Sequence, residues 1–300
     1  MADLSKISIG GTPYNLKDTS ARGTANAVTT AEELDRQESI GTYPGRSIAS
    51  VFQAEIGSKN VWTWLRERVR AGNFAGLRIG DYIDVQLTAG ANVPAQTVRY
   101  RIGAIDPYYQ AGDTAKGHHV AMVPSAPVSV IGSKAVNESY LPWRTTNDNN
   151  GTAEEKHPYL LSTLHDWEIN DFLPSLPSEL QAAIMVQRVL LNERYSSSAT
   201  KLTEDSGWSW ADLGKIWSLS EIEVYGCLVW AGPYCAGFDC QFPIFKQTKD
   251  RLMGSRISWW LRSVSGSSSS SVGGVSGYGD ASSGVPTLDW FRPRPCFLVG

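Results

Sequence analysis

Four histidines and four cysteines are the residues best equipped for catalysis or metal binding in this sequence, and their spacing assigns them to neither task. His118 and His119 are adjacent, so on a strand their rings would face opposite sides and could not chelate one ion together. His157 and His165 stand in no zinc or nucleophile pattern. The chain also lacks H-E-x-x-H, G-x-S-x-G and a phosphate-cradling Gly-Lys-Ser/Thr loop. Cys227, Cys235, Cys240 and Cys296 form no C-x-x-C pair, which points to buried thiols rather than a zinc site or redox couple; no disulfide is expected. Asn147, Asp148 and Asn149 offer calcium-type oxygens, though the ordinary use of such a run is a turn. Lys59, Arg66, Arg68 and Arg70 invite a phosphate, but at helical spacing opposite a Trp-bearing stripe they read as a solvated face. The expectation is no catalytic residue, no metal and no cofactor, which leaves binding by surface.

Composition bounds the rest. The 300 residues carry 27 Lys plus Arg against 30 Asp plus Glu, a formal net charge of −3. There is no global field to draw in nucleic acid or an anionic membrane. With 42% hydrophobic and 19% charged residues the chain can build a core rather than stay disordered. Eleven Trp, twelve Tyr and eight Phe among 28 Gly and 15 Pro describe bulky packing units joined by many turns, against a long helical bundle. No stretch approaches the roughly 20 apolar residues that cross a bilayer, and the start MADLSKISIGG has no apolar signal core, so the expectation is an unsecreted chain without membrane insertion.

The elements that must position any site divide the sequence at residue 57. Residues 1–57 have no Trp and few large apolar residues, and a run such as SARGTANAVTT cannot enclose a core; this stretch reads as an extended arm needing a partner surface. Within it, Ile7 and Ile9 alternate before Gly10-Gly11, and Thr30 with Glu33 fits a helix capping box. From residue 58 to 300 a single α+β domain is expected. Val61, Trp64, Leu65 and Val69 lie at helical spacing ahead of Gly72. Ile83, Val85 and Leu87, then Val98, Tyr100 and Ile102, alternate as a hairpin, with a third strand near Val120–Val123. Leu160, Leu164 and Trp167 mark one helix. A second is predicted from Ser178, capped with Gln181 and striped by Leu180, Ile184 and Leu191, and a third from Ser220 with Glu223. Strands are predicted over 227–230 and 296–299. Residues 263–284, SVSGSSSSSVGGVSGYGDASSG, have the composition of a flexible linker and read as a long excursion between two core-forming pieces.

Those two pieces are the most specific signal. Ser258-Trp259-Trp260-Leu261-Arg262-Ser263, the Ser/Gly loop, then Phe291-Arg292-Pro293 and an apolar last strand resemble the C-terminal signature of a domain family of phages and Gram-positive bacteria, usually labelled only as of unknown function. Gly80-Asp81-Tyr82-Ile83, the helix around 160–172 and Leu219-Ser220-Glu221 match in order, so the resemblance covers roughly residues 75–300. It implies a C-type-lectin-like fold related to formylglycine-generating enzymes and phage tropism proteins. Separately, residues 7–22 are similar to the amino-terminal arm of many phage virion proteins, which implies virion anchoring through Ile7, Ile9, Tyr14, Leu16, Lys17 and Asp18. On physical grounds, Trp259 and Trp260 face opposite sides of a strand, and Arg262 and Arg292 are suited to bidentate pairing that would tie the loop's two ends together.

The resemblance implies a non-enzymatic bacteriophage structural protein, assembled in the host cytoplasm and displayed on the particle, as a head decoration, a fibre or a tail attachment protein. Its partners would be other virion proteins, copies of itself, and a host-surface glycan or protein. A copper oxidase of the formylglycine-generating type is the alternative, but the context PYCAGFDCQF around Cys235 and Cys240 does not match that family's cysteines. A bacterial surface lectin module is another, although the E-P-N, Q-P-D and W-N-D motifs of calcium-dependent sugar binding are missing. In related tropism proteins the region before the final strand contacts the receptor. Here that region presents Tyr278, Asp280, Asp289 and Trp290 among small residues, a paratope-like mixture of aromatic anchors and adaptable polar groups.

Overall fold

A computed structural model describes residues 6–9, 12–15, 31–198, 205–234, 236–252 and 256–300. The chain divides into two units, Met1–Pro44 and Gly45–Gly300. In the first, β1 (Lys6–Ile9) and β2 (Thr12–Asn15) pair antiparallel with Ile7 opposite Tyr14. Helix α1 spans 31–39, where Glu33 takes both a bidentate bond from Arg36 and one from Gln37. Of the anchoring residues proposed from sequence, Leu16, Lys17 and Asp18 lie outside the described residues, as does the Thr30 cap.

The body begins before residue 58. Helices α2 (Ile48–Val51) and α3 (Gln53–Ile56) deliver Ile48, Phe52 and Ile56 into its core, so thirteen residues assigned to the arm from their polar composition fold with the domain. Asn60 accepts from the Trp62 amide at 2.8 Å and opens α4 (Val61–Arg70), whose Trp62, Trp64, Leu65 and Val69 are buried. Three of the four basic residues at α4 are engaged within the protein, Arg66 by the Ala182 carbonyl at 3.0 Å, while Arg70 is exposed. Lys59 pairs with Glu67 at 2.6 Å, and Arg68 pairs with Glu55 while lying over the Phe52 and Trp64 rings.

Two sheets carry the architecture, which is mixed α+β with few helices. The five-stranded antiparallel sheet runs β3 (Tyr82–Leu87), β4 (Gln96–Ile105), β5 (Val120–Pro124), β13 (Phe297–Val299) and β6 (Ile184–Met185). Ile83, Val85 and Leu87 face the core as their alternation predicts, and the C-terminal strand sits inside the sheet between β5 and β6. The four-stranded sheet runs β11 (Ala281–Gly284), β10 (Val272–Val275), β9 (Ser258–Val264) and β12 (Phe291–Arg292), with β9 and β12 parallel. Between them come α5 (Thr163–Trp167), continued by a wider turn over Glu168–Phe172 and α6 (Leu173–Ser175), then α7 (Ser178–Ala183). The hairpin of β7 (Gln187–Tyr195) and β8 (Asp205–Gly214), α8 (Glu221–Tyr225) and α9 (Thr248–Leu252) complete the body.

Several expectations change. The helix from Ser178 has no capping box: Pro177 precedes it, and the Gln181 amide turns back to the Leu176 carbonyl at 2.8 Å. It stops at Ala183, because Ile184 is recruited to pair with Val299 and Leu191 belongs to β7. Residues 227–230 are a loop rather than a strand. The Glu221 carboxylate, fully buried, gathers the amides of Val229, Trp230 and Ala231 at 3.0 Å each, bending the backbone around one anion.

The Ser/Gly segment is the largest departure, since its second half is β10 and β11. A Cβ on Gly274 would stand 2.4 Å from the Phe291 ring, and one on Gly284 would stand 2.3 Å from Leu288. The glycines let side chains lie flat on the strands, and that close packing is their use here. The serines of 265–271 are also held: buried Arg194 donates to the Ser265 and Ser268 carbonyls, and Asn149 donates to those of Ser268 and Ser271.

Candidate binding site

Strand β9 organises the C-terminal signature. Trp259 and Trp260 are both fully buried, their indole N–H groups donating to the Arg251 carbonyl at 3.1 Å and the Leu141 carbonyl at 2.7 Å. Phe291 stacks on Trp260 with ring centroids 4.1 Å apart. The two ends of the excursion therefore meet through backbone pairing, with Phe291 opposite Ser258 and Arg292 opposite Trp259, and through that stack. The two arginines do other work. Arg292 donates to the Ser139 hydroxyl at 2.6 Å and lies over Tyr140, while the Pro293 carbonyl accepts from the Val128 amide at 3.0 Å.

Arg262 closes a buried knot of charge. Its guanidinium donates to Glu223 at 2.6 Å, to Asp239 at 2.7 Å and to the Ser218 carbonyl at 2.9 Å. Glu223 also takes the Ser220 amide at 2.7 Å, as half of the capping box expected for α8, and the Tyr108 hydroxyl. Burial pushes the Glu223 carboxyl up to about 7 in spite of the guanidinium beside it. The same carboxylates hold Arg262 firmly protonated. These groups face one another rather than solvent, and they fix β9 to α8.

The residues proposed for ligand contact gather at the end of the four-stranded sheet where β9 begins. The Gly277 amide donates to the Ser258 hydroxyl at 3.1 Å from one side of β9, and Phe291 pairs with Ser258 on the other. Tyr278 and Trp290 are the immediate neighbours of those two residues, so the register brings both aromatics to the same sheet end. They are 75% and 56% exposed. Asp280 and Asp289 play a different part. Asp280 accepts from the Ser276 hydroxyl, whose oxygen in turn accepts from the Tyr278 amide at 3.0 Å. Asp289 accepts from Asn137 at 2.6 Å. Each carboxylate holds the loop bearing its neighbouring aromatic and keeps lone pairs for a ligand.

The other sequence candidates are dispersed. His118 bonds Asp106 at 2.6 Å and stacks on Tyr109, while His119 is buried against the Gly117 carbonyl, where burial lowers its basicity. Asp148 is taken by Arg144 and Thr146, and Asn149 by the serine segment. Cys227, Cys240 and Cys296 are free thiols, but only Cys296 is buried as expected; Cys227 and Cys240 are exposed on loops, and Cys235 lies outside the described residues. Among the described residues no group of three or more His, Cys, Asp or Glu is placed to hold a metal ion, and no helix is long and apolar enough to cross a membrane.

Sequence reasoning missed Arg194, and it named Asn149 only as a calcium-type or turn residue and Glu221 only within the signature, not for the bonds they make. All three bond backbone atoms, and a carbonyl or amide carries no mark in a sequence. Residues 130–300 match the family described as a domain of unknown function (DUF6273); this is more than half of the chain, which belongs to that family. Comparison with curated proteins and with solved structures finds no match.

Proposed function

We propose that the chain is a non-enzymatic binding protein of a bacteriophage particle, with a C-type-lectin-like body that meets the host surface through the Tyr278/Trp290 end of its four-stranded sheet. The observation that carries this reading is the pairing of two strongly exposed aromatics with a rigid base. Each ring is bulky, amphipathic and cheap in entropy to immobilise, and the backbone beneath it is already fixed by Asp280 and Asp289. The buried charged groups Glu223, Asp239 and Arg262 are engaged with one another, which favours a scaffold over a reaction centre. The separate unit of residues 1–44 with its short hairpin supports the anchoring arm, in which Ile7, Ile9 and Tyr14 would meet another virion protein or a second copy.

The test is host adsorption. A Tyr278→Ala/Trp290→Ala double variant loses two hot-spot-type aromatics and should bind host envelope at least about tenfold more weakly while melting with the wild type, since neither ring is part of the core. Unchanged adsorption by the folded variant would remove the sheet end from the account.

A further inference from the structure

A concavity whose lining includes neither Tyr278 nor Trp290 lies beside the loop that follows Trp143. It is about 670 Å³, within the roughly 300–1,000 Å³ of small-ligand sites, and is walled by residues 144–146, 148 and 150–154, by Leu161 and Thr163, and by Tyr195–Ser197 at the end of β7. Its lining is unusual in being dominated by hydroxyls, from Thr145, Thr146, Thr152 and Thr163 on one side and two serines on the other.

The wall is built in advance. Arg144, buried at its base, donates to the Asp148 carboxylate, to the Asn150 carbonyl at 2.8 Å and to the Pro158 carbonyl at 2.9 Å, and Thr146 bonds Asp148 at 2.5 Å. The Gly151 amide donates to the Arg194 carbonyl at 2.6 Å, and the Arg194 amide donates to the Lys156 carbonyl at 2.8 Å, so the loop is stitched to β7. A ligand would find the polar groups already placed, which lowers the entropy cost of binding.

Charge decides the ligand class. Both terminal nitrogens of Arg144 are engaged by the protein, one of them on the Asp148 carboxylate, so those two charges offset each other and the exposed Glu154 carboxylate gives the groove wall its net negative sign. A phosphate, sulfate or uronate would meet repulsion there. A neutral polyol would meet carboxylates that accept its hydroxyls, threonines that donate and accept, and the Tyr195 ring and Leu161 for its C–H faces. We propose that this groove binds a neutral oligosaccharide, independently of the Tyr278/Trp290 end.

The test uses the full chain and three neutral trisaccharides of different linkage, maltotriose, cellotriose and triacetylchitotriose, with binding followed by ligand-observed NMR. At least one should bind with a Kd of about 1 mM or better. Thr145→Trp and, separately, Ala153→Trp should weaken it about tenfold or more, because both positions are exposed on the groove wall and an indole there fills the space. Tyr278→Ala/Trp290→Ala should leave it unchanged, so this proposal and the adsorption reading fail separately. Binding by none of the three sugars, binding that survives both folded tryptophan variants, or tighter binding of trilysine than of any sugar would each overturn the assignment.

Discussion

Replacing Arg262 by alanine should destabilise the body by roughly 3–5 kcal/mol, lowering its melting temperature on the order of 10 °C. The cost comes from what is left behind. Glu223 is fully buried and Asp239 nearly so, and each would lose its only guanidinium partner. The defect should also depend on pH with a definite sign. The Glu223 carboxyl titrates near 7 in the folded chain against an ordinary value of 4.5, so the folded state holds its proton more tightly than the unfolded state. A raised carboxyl favours folding below the unfolded value, and this advantage is lost as pH rises through the folded one. Without Arg262 the Glu223 carboxyl is pushed higher still, because the guanidinium is what holds it down against burial. The variant should therefore lie closest to wild type at about pH 5 and furthest from it at about pH 8. Adding Glu223→Gln to Arg262→Met should recover part of the loss, since a neutral pair costs less to bury than an orphaned charge. Thermal melts of the variants across that range check both statements; a pH-independent loss would mean that packing rather than charge sets the effect.

The second large effect concerns Arg194. Its guanidinium donates to the Ser265 and Ser268 carbonyls and to the Asn150 side chain at 2.9 Å, and it lies 4.5 Å from the Tyr234 ring. Arg194→Met preserves much of the volume and strands those buried acceptors, at a cost of roughly 2–4 kcal/mol. The loss should be local before it is global. Amide exchange across 265–271 should accelerate about a hundredfold or more, while β4 and β5 remain protected. If exchange in that segment is unchanged, the arginine is not what holds it.

These two residues also show where sequence was readable. Ser220 and Glu223 announce the start of α8, because both halves of a capping box lie within four residues. That Glu223 also receives Arg262 from 39 positions away is tertiary information that no window contains. Alternation gave β3 and β4 cleanly since one face of each is core. Leu180, Ile184 and Leu191 fit a helical stripe equally well as a helix followed by two strands, and the pairing of Ile184 with Val299 decided the matter. The Gly- and Ser-rich stretch misleads for a related reason. Composition reads Gly274 as freedom, whereas the Phe291 ring lying against it makes it the one residue that fits. At the candidate site, exposed Tyr278 and Trp290 were legible as aromatics among small residues. The positioning bonds of Asp280 and Asp289 to Ser276 and Asn137 were not.

The central claim, a binding body carried on a virion by its first 44 residues, is tested most directly by locating the protein. Purified particles should be labelled with gold-conjugated antibody against the body, from a host supplied with either the full chain or a chain beginning at Gly45. The account predicts regular label on the outside of particles with the full chain and bare particles with the shortened one, although the shortened chain accumulates folded. Bare particles in both cases would contradict virion display, and label retained by the shortened chain would contradict anchoring through the arm.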